Sequence, residues 1–166
     1  MRRREAQAPP LRSYAMSMNE YLQLIAAFTG SAGFALAYNF RGTGHILMAG
    51  FGGFLGWLCY LTVLHASGNG YLAGYTGTLL VCFYSEIAAM ILRTPATGLL
   101  IVTSIPMIPG ASLYRCMRCL LLSQSELFRQ EGTYTVLFAS CMAAGFVTSA
   151  VLLQLIRPAG ARSSDI

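Results

Sequence analysis

The chain has 166 residues, of which 55% are hydrophobic and 10% are charged, and its formal net charge is +5. Soluble domains carry about 25% charged residues, so the composition excludes a water-soluble domain and predicts an all-α integral membrane protein. The basic residues are all arginines and lie largely in the tails. That placement suits anionic lipid headgroups and argues against nucleic-acid binding, which needs a basic face with interleaved aromatic residues.

Four long apolar runs separated by polar turns predict helices that span the bilayer. About 20 helical residues, at 1.5 Å each, cross a hydrocarbon core of about 30 Å. Residues 1–20 are predicted to form a flexible basic tail and residues 157–166 a polar tail, which leaves 21–156 as a single transmembrane domain. The runs, of 18, 19, 22 and 24 residues, are Tyr21–Tyr38, Ile46–Leu64, Tyr71–Leu92 and Thr133–Ile156.

The region between the third and last runs is interrupted by prolines. Ala96–Ile108 is apolar but has only 13 residues, or about 20 Å of helix, which is too short to span. It ends in PMIPG (106–110), and a second helical piece, Ala111–Leu122, follows. Each proline lacks an N–H and clashes with the carbonyl four residues back, so Val102 and Ile105 should lose helical partners. The region is either one broken spanning helix, giving five spans, or a re-entrant pair, giving four.

The distribution of arginines indicates an orientation for either number of spans. With five spans, five arginines flank the inner side and four the outer side; with four spans the count is six against five. The positive-inside rule therefore places the N-terminus in the cytoplasm. Five spans, the version we favour, would put the two termini on opposite sides of the membrane.

Glu86 is the one charged residue in the third run, and it lies six residues before the end of that run, about 9 Å inside the helix end. An ionised carboxylate is costly in lipid, so this side chain should face protein or water. We consider it a candidate site for a proton or for the ammonium group of a substrate. A structural ion pair with an arginine of another helix is the alternative.

The break in the fourth span is the second candidate site. A helix that restarts near Ala111 would expose the N–H groups of Ala111, Ser112 and Leu113, and a helix N-terminus carries about half a positive charge and binds carboxylates. Transporters place substrate sites at broken helices. A kink required only for packing is the alternative. The predicted substrate-binding residues are thus Glu86, Pro106, Pro109, Gly110, Ala111 and Ser112.

Pairs of small residues four positions apart predict close helix packing. Gly52 and Gly56 form such a pair in the second run, and the last run has two more, Gly145 with Ser149 and Ala139 with Ala143. These pairs would pack helices within the chain or form an interface with another subunit.

Motifs typical of enzymes are not recognisable in the sequence. Cys116 and Cys119 form a lone CxxC without the two further ligands that zinc requires. No nucleophile–base set, metal motif or nucleotide motif is recognisable, so we predict no enzymatic activity, no metal and no cofactor.

Three segments resemble the threonine/serine exporter family, and within it the small YjjB-like subunit. They are GFALAYNFRG (33–42), SEIAAMILRTPATGLLIVTSIPMIPGASLYRCM (85–117) and the closing helix. The most specific part is Arg93-x-Pro95-Ala96, followed by IPMIPG (105–110) and Tyr114. The resemblance extends over about 33–156.

The resemblance implies a multi-pass protein of the bacterial inner membrane that exports threonine and serine, or succinate in the two-component branch, together with a larger YjjP-like partner subunit. It assigns no binding residue, so the candidate site residues rest on the physical argument alone. The leading interpretation is an exporter subunit for a small carboxylated metabolite. The alternative is a structural or scaffolding membrane subunit, with transport residing in the partner.

Overall fold

A computed structural model describes residues 17–40 and 42–156, and every regular element in those residues is helical. The predicted all-α membrane architecture is confirmed. The predicted tails lie outside the described residues, apart from positions 17–20. The helices are α1 (Met18–Ala37), α2 (Thr43–Ser67), α3 (Gly70–Leu92), α4 (Ala96–Ser104), α5 (Gly110–Leu121) and α6 (Ser125–Ile156), with a 3-10 turn (Ile105–Met107) between α4 and α5.

Several helices extend beyond their apolar runs into segments predicted to be tail or turn. α1 begins at Met18, inside the predicted tail, and α2 continues to Ser67, so His65 is helical rather than part of a turn. α6 begins at Ser125, well before its apolar run, and an ion pair of 3.0 Å between Glu126 and Arg129 supports its first turn. Hydropathy marks where a helix meets lipid, whereas a helix end is set by local capping and ion pairs.

Length and apolar composition identify three described helices that can cross a membrane, namely α2, α3 and α6. The pair of α4 with its 3-10 turn and α5, bent by 53° at the break, would make a fourth crossing. α1 has 20 residues but includes Asn19, Glu20 and Gln23 in its first two turns, and it does not reach the same apolarity. By this criterion the count is three to four, one fewer than the four to five predicted, because α1 begins earlier and is more polar than the run Tyr21–Tyr38.

The directions of the helices show which version of the broken segment the chain adopts. Gly74 of α3 contacts Phe138 of α6, and further along both helices Thr78 contacts Gly145. α3 and α6 therefore run parallel, so the segment between them must pass from one end of the bundle to the other. This is the arrangement of a broken crossing helix, because a re-entrant pair would return α6 antiparallel to α3. The start of α1 and the end of α6 consequently lie at opposite ends.

The glycines of α2 allow α3 and α4 to approach its backbone. A Cβ atom on Gly52 would collide with the Thr103 methyl group and the Tyr84 ring, and one on Gly56 would collide with Val81. Both glycines are buried. The pair therefore packs helices within this chain, and the alternative that Gly52 and Gly56 form an interface with another subunit is wrong.

The two small-residue pairs of α6 serve different surfaces. A Cβ atom on Gly145 would lie 3.0 Å from Thr78 of α3, and Ser149 is 2% exposed, so this pair packs inside the chain. Ala139 and Ala143 are exposed on the outer surface of α6. Only the second of these two pairs is open to contact with another subunit.

We expect Gly52→Ala to lower the stability of the bundle by about 1–3 kcal/mol, the usual cost of overpacking a well-packed core. The neighbouring groups cannot easily move, because Tyr84 donates its hydroxyl to the Met48 carbonyl at 2.8 Å and Thr103 bonds to Ser85 at 2.9 Å. Thermal unfolding in detergent measures the effect. The control is Gly30→Ala in α1, where nothing lies within 4 Å of the added atom. Equal melting temperatures for the two variants would contradict the close approach.

Candidate functional site

The break between α4 and α5 is formed by two prolines and closed by short-range hydrogen bonds. Pro106 lies in the 3-10 turn and Pro109 precedes α5. The Ile108 N–H donates to the Ile105 carbonyl at 3.1 Å, and the Gly110 N–H donates to the Ile108 carbonyl at 2.7 Å. The Ile105 carbonyl, predicted to lose its helical partner, therefore gains a different one from the 3-10 turn.

The side chain that fixes the break in the bundle is Met107. It is 2% exposed, and its sulfur and terminal methyl group fill the space left by Gly56 of α2 and Gly77 of α3. A Cβ atom on Gly77 would lie 2.6 Å from the methyl group and would displace it, whereas one on Gly56 would lie 3.6 Å from the sulfur, in ordinary contact. The glycines of two spanning helices thus hold the 3-10 turn at a fixed position, which sequence analysis did not identify because the contact joins three separate segments.

The N-terminus of α5 presents unsatisfied backbone donors at the break. α5 begins at Gly110 and has no side-chain cap. The Leu113 N–H donates to the Pro109 carbonyl at 3.0 Å, so the prediction that this group is free is wrong. The reason is that the helix begins one residue earlier than predicted, which makes Leu113 the first residue to find a helical acceptor. Within the described part of the chain, no acceptor meets the N–H groups of Ala111 and Ser112.

Both residues line a cavity of about 460 Å³ at the end of the bundle where α1 begins and α2 ends. Its volume lies within the roughly 300–1,000 Å³ typical of small-molecule sites. Of the predicted site residues, four line this cavity and two do not. Pro106 lies behind the lining and Glu86 lies elsewhere; the four that line it are Pro109, Gly110, Ala111 and Ser112.

Charged and amide side chains from α1 and from α5 itself line the same cavity. Glu20 and Gln23 come from α1, and Arg115 comes from α5. Arg115 donates from Nη2 to the Ser112 hydroxyl at 3.1 Å, and its Nε lies 3.2 Å from the carboxylate of Glu131 on α6. A carboxylate and a guanidinium therefore line one cavity, and the guanidinium is held in place by α6.

Glu20 is held at the start of α1 by two contacts. Its Oε2 accepts the Ser17 N–H at 2.8 Å, and its Oε1 lies 3.1 Å from Nε2 of His65 on α2. Sequence analysis missed Glu20 because it precedes the first apolar run and was assigned to the tail. The signal that could have revealed it is the spacing of Ser17 and Glu20, which is typical of a helix N-terminus.

Four aromatic rings contribute to the wall of the cavity. Trp57 and Tyr60 of α2 stack with ring centroids 4.9 Å apart, and Tyr134 and Phe138 of α6 stack at 6.1 Å. All four rings line the cavity. The faces of aromatic rings attract ammonium groups, and Trp is the most effective of them. The lining of the cavity therefore combines the start of α5, which suits an anion, with a carboxylate and aromatic rings, which suit a cation.

Glu86 lies in a second cavity, of about 320 Å³, between α3, α4 and α6. Ser85, Thr97 and Ser149 line it as well. Glu86 is partly buried, in agreement with the expectation that its carboxylate faces protein rather than lipid alone. The structure does not bring Glu86 together with the break. The sequence of α3 alone could not show that Glu86 lies away from the break, because its position in the bundle depends on which helices pack beside α3.

Comparison with known proteins identifies the family. The family model for the threonine/serine exporter, ThrE, matches residues 23–152. This range contains the break and most of α6. It also contains the lining of both candidate cavities, except for Ser17, Asn19 and Glu20 in the first and Leu153 in the second. No curated protein matches the chain, and no solved structure matches it. Because the match covers well over half of the sequence, the chain belongs to the threonine/serine exporter family.

Proposed function

We propose that this chain is a subunit of a bacterial inner-membrane exporter for a small carboxylated metabolite, and that threonine and serine fit its site better than succinate. The observation that carries the proposal is the cavity at the break, whose lining includes both a carboxylate and two residues with free backbone donors. Membership in the threonine/serine exporter family supports it.

The substrate carboxylate would bind at the start of α5. The N–H groups of Ala111 and Ser112 supply two donors, the helix dipole adds positive potential, and Arg115 lines the same cavity. The substrate ammonium would bind near Glu20 and the aromatic faces. A dicarboxylate of similar length would instead bring its second negative charge toward Glu20, which is why the charge distribution favours an amino acid.

Glu86 has a separate role in this proposal. Its cavity contains hydroxyl groups and no other acidic side chain among the lining residues, so we propose that Glu86 carries a proton rather than the substrate ammonium. Glu86→Gln keeps nearly the same shape without the charge and is expected to alter the pH dependence of export. Unchanged pH dependence in that variant would leave Glu86 with a structural role.

We further propose that the chain works with a larger YjjP-like membrane subunit. α6 is the least buried of the three long apolar helices. Its exposed Ala139 and Ala143 would let a helix of a partner approach closely. The glycines of α2 are not available for this contact, because they are buried within the chain.

The test is serine and threonine efflux from cells lacking this chain, lacking its partner, or lacking both. We expect all three strains to lose export to the same extent, and the purified chain alone to transport nothing. Co-purification with a second membrane protein is the accompanying measurement. Reconstituted transport by the pure chain would remove the partner from the proposal. Normal efflux without the chain would contradict the proposal.

A further inference from the structure

The contact between His65 and Glu20 has more acceptors than donors unless it holds an extra proton. Nδ1 of His65 lies 2.8 Å from the Leu61 carbonyl, which can only accept, so Nδ1 carries a hydrogen. In a neutral imidazole Nε2 would then be an acceptor, and it lies 3.1 Å from Oε1 of Glu20. An ionised carboxylate oxygen is also an acceptor. The observed contact therefore requires one proton in addition to those of a neutral histidine and an ionised glutamate.

Glu20 and His65 occupy different positions relative to the cavity. Glu20 lines it, whereas His65 lies behind Glu20 on the last turns of α2 and is not part of the lining. The two side chains are 17% and 28% exposed, so both are partly shielded from water. Its ion pair with Glu20 is therefore a contact through which a change at His65 would reach a bound substrate.

We propose that His65 is a positioning residue for Glu20, and that the pair shares one proton whose loss turns the carboxylate toward the substrate ammonium. This inference rests on the proposed function, in which Glu20 receives that ammonium. With the proton present, the charge-assisted hydrogen bond holds Oε1 against α2. Without it, two acceptors would face each other, and the contact opens while Oε2 keeps the Ser17 N–H.

The proton balance of this exchange is simple. Before binding, the ionised Glu20 faces the imidazolium of His65, and the pair is neutral. After binding, Glu20 faces the ammonium cation and His65 is neutral, so one proton leaves the imidazole for water. Each ammonium bound therefore releases one proton from the pair, so substrate affinity rises as the proton concentration falls.

The other ionisable groups that line the cavity with Glu20 are phenols and a guanidinium. Those on the elements around its cavity, within the described residues, are Tyr60 of α2, Arg115 of α5 and Tyr134 of α6. Guanidinium and phenol groups keep their charge state between about pH 5 and 8, whereas imidazole is the group suited to change there. The pH dependence of binding should therefore follow the pair of Glu20 and His65.

A first experiment measures the shared proton without any substrate. The full chain, with its co-purified partner, is labelled with nitrogen-15 histidine in lipid nanodiscs, and the ring-nitrogen signals are recorded between pH 5 and 8. We expect His65 to show the doubly protonated form in the wild type and to lose much of it at the same pH in Glu20→Gln. His45, the other histidine of the chain, should not respond. An identical His65 signal in Glu20→Gln would overturn the inference.

A second experiment measures serine binding at several pH values. The wild type is expected to gain up to about tenfold in affinity per pH unit, the limit for release of one proton. His65→Gln should bind serine with little pH dependence, and His65→Arg, which keeps a permanent positive charge, should bind weakly at every pH. His45→Gln is the matched control and should behave as the wild type does.

The outcomes of the second experiment separate this inference from the proposed function. Serine binding with an undiminished pH dependence in His65→Gln overturns the inference and leaves the proposed function intact. If the wild type binds no serine at any pH, the proposed function fails, and with it the role of the pair in substrate binding. The nitrogen signals then still decide whether Glu20 and His65 share a proton.

Discussion

Replacing Pro106 and Pro109 together with alanine is expected to abolish export while the chain still inserts into the membrane. Each alanine restores a backbone N–H and removes a ring that clashes with the preceding turn. The restored groups can bond to the carbonyls of Val102 and Ile105. A proline in a helix interior costs about 3 kcal/mol relative to alanine, so removing two of them strongly favours one continuous helix.

A continuous helix would remove the features of the site that the break creates. The N–H groups of Ala111 and Ser112 would be taken up by carbonyls of the preceding turn. The 53° bend between the two helical segments would be lost. Arg115 would then move away from Glu131, because that pair joins α5 to the start of α6 at 3.2 Å. The substrate carboxylate would lose its backbone donors and its neighbouring cation together.

The matched control for the double variant is Pro95→Ala. Pro95 precedes the first residue of α4 and lies outside the break, so its replacement adds an N–H where no helical bond is interrupted. We expect this variant to export serine normally. Efflux of labelled serine and the amount of inserted protein are the two measurements. Wild-type export by a stably inserted double variant would exclude the break from the mechanism.

The break itself could be predicted from the sequence because its cause is local. Two prolines three residues apart interrupt a helix whatever surrounds them, and the predicted pieces on either side agree closely with α4, its 3-10 turn and α5. The exact start of α5 does not follow from the sequence, because the conformation of Pro109 decides whether Gly110 or Ala111 is the first helical residue. This difference of one residue decides whether the Leu113 N–H is free.

The composition of the cavity could not be predicted, because it depends on contacts between distant segments. Glu20 reaches the break only because α1 runs antiparallel to α2 and brings its first turn beside His65. Arg115 faces the cavity because Glu131, far along the sequence, holds it there. Glu86 presented the stronger signal in the sequence, as a lone charge in an apolar run, but the packing of α3 against α4 and α6 places it in another cavity.

Glu20→Gln is expected to weaken serine binding by about 10- to 100-fold. A hydrogen bond to a charged group contributes about 1.5–3 kcal/mol, and each 1.4 kcal/mol corresponds to tenfold in affinity. The variant keeps the shape of the side chain and its contact with the Ser17 N–H, but it removes the negative charge that faces the ammonium. Equilibrium binding of labelled serine to the purified complex measures the loss.

Binding of succinate is a second measurement, and it separates a change in specificity from a general loss of stability, which would weaken the binding of both ligands. Because Glu20 repels a second carboxylate, Glu20→Gln should bind succinate more tightly than the wild type does while binding serine less tightly. Arg115→Gln should weaken the binding of both ligands, since each has a carboxylate that would bind at the start of α5.

The matched controls are Glu126→Gln and Arg129→Gln, whose side chains are 68% and 76% exposed on α6. Parallel loss of both ligands in Glu20→Gln would contradict an ammonium site at this residue. Unchanged binding in both Glu20→Gln and Arg115→Gln would move the substrate site out of this cavity and favour a scaffolding role for the chain.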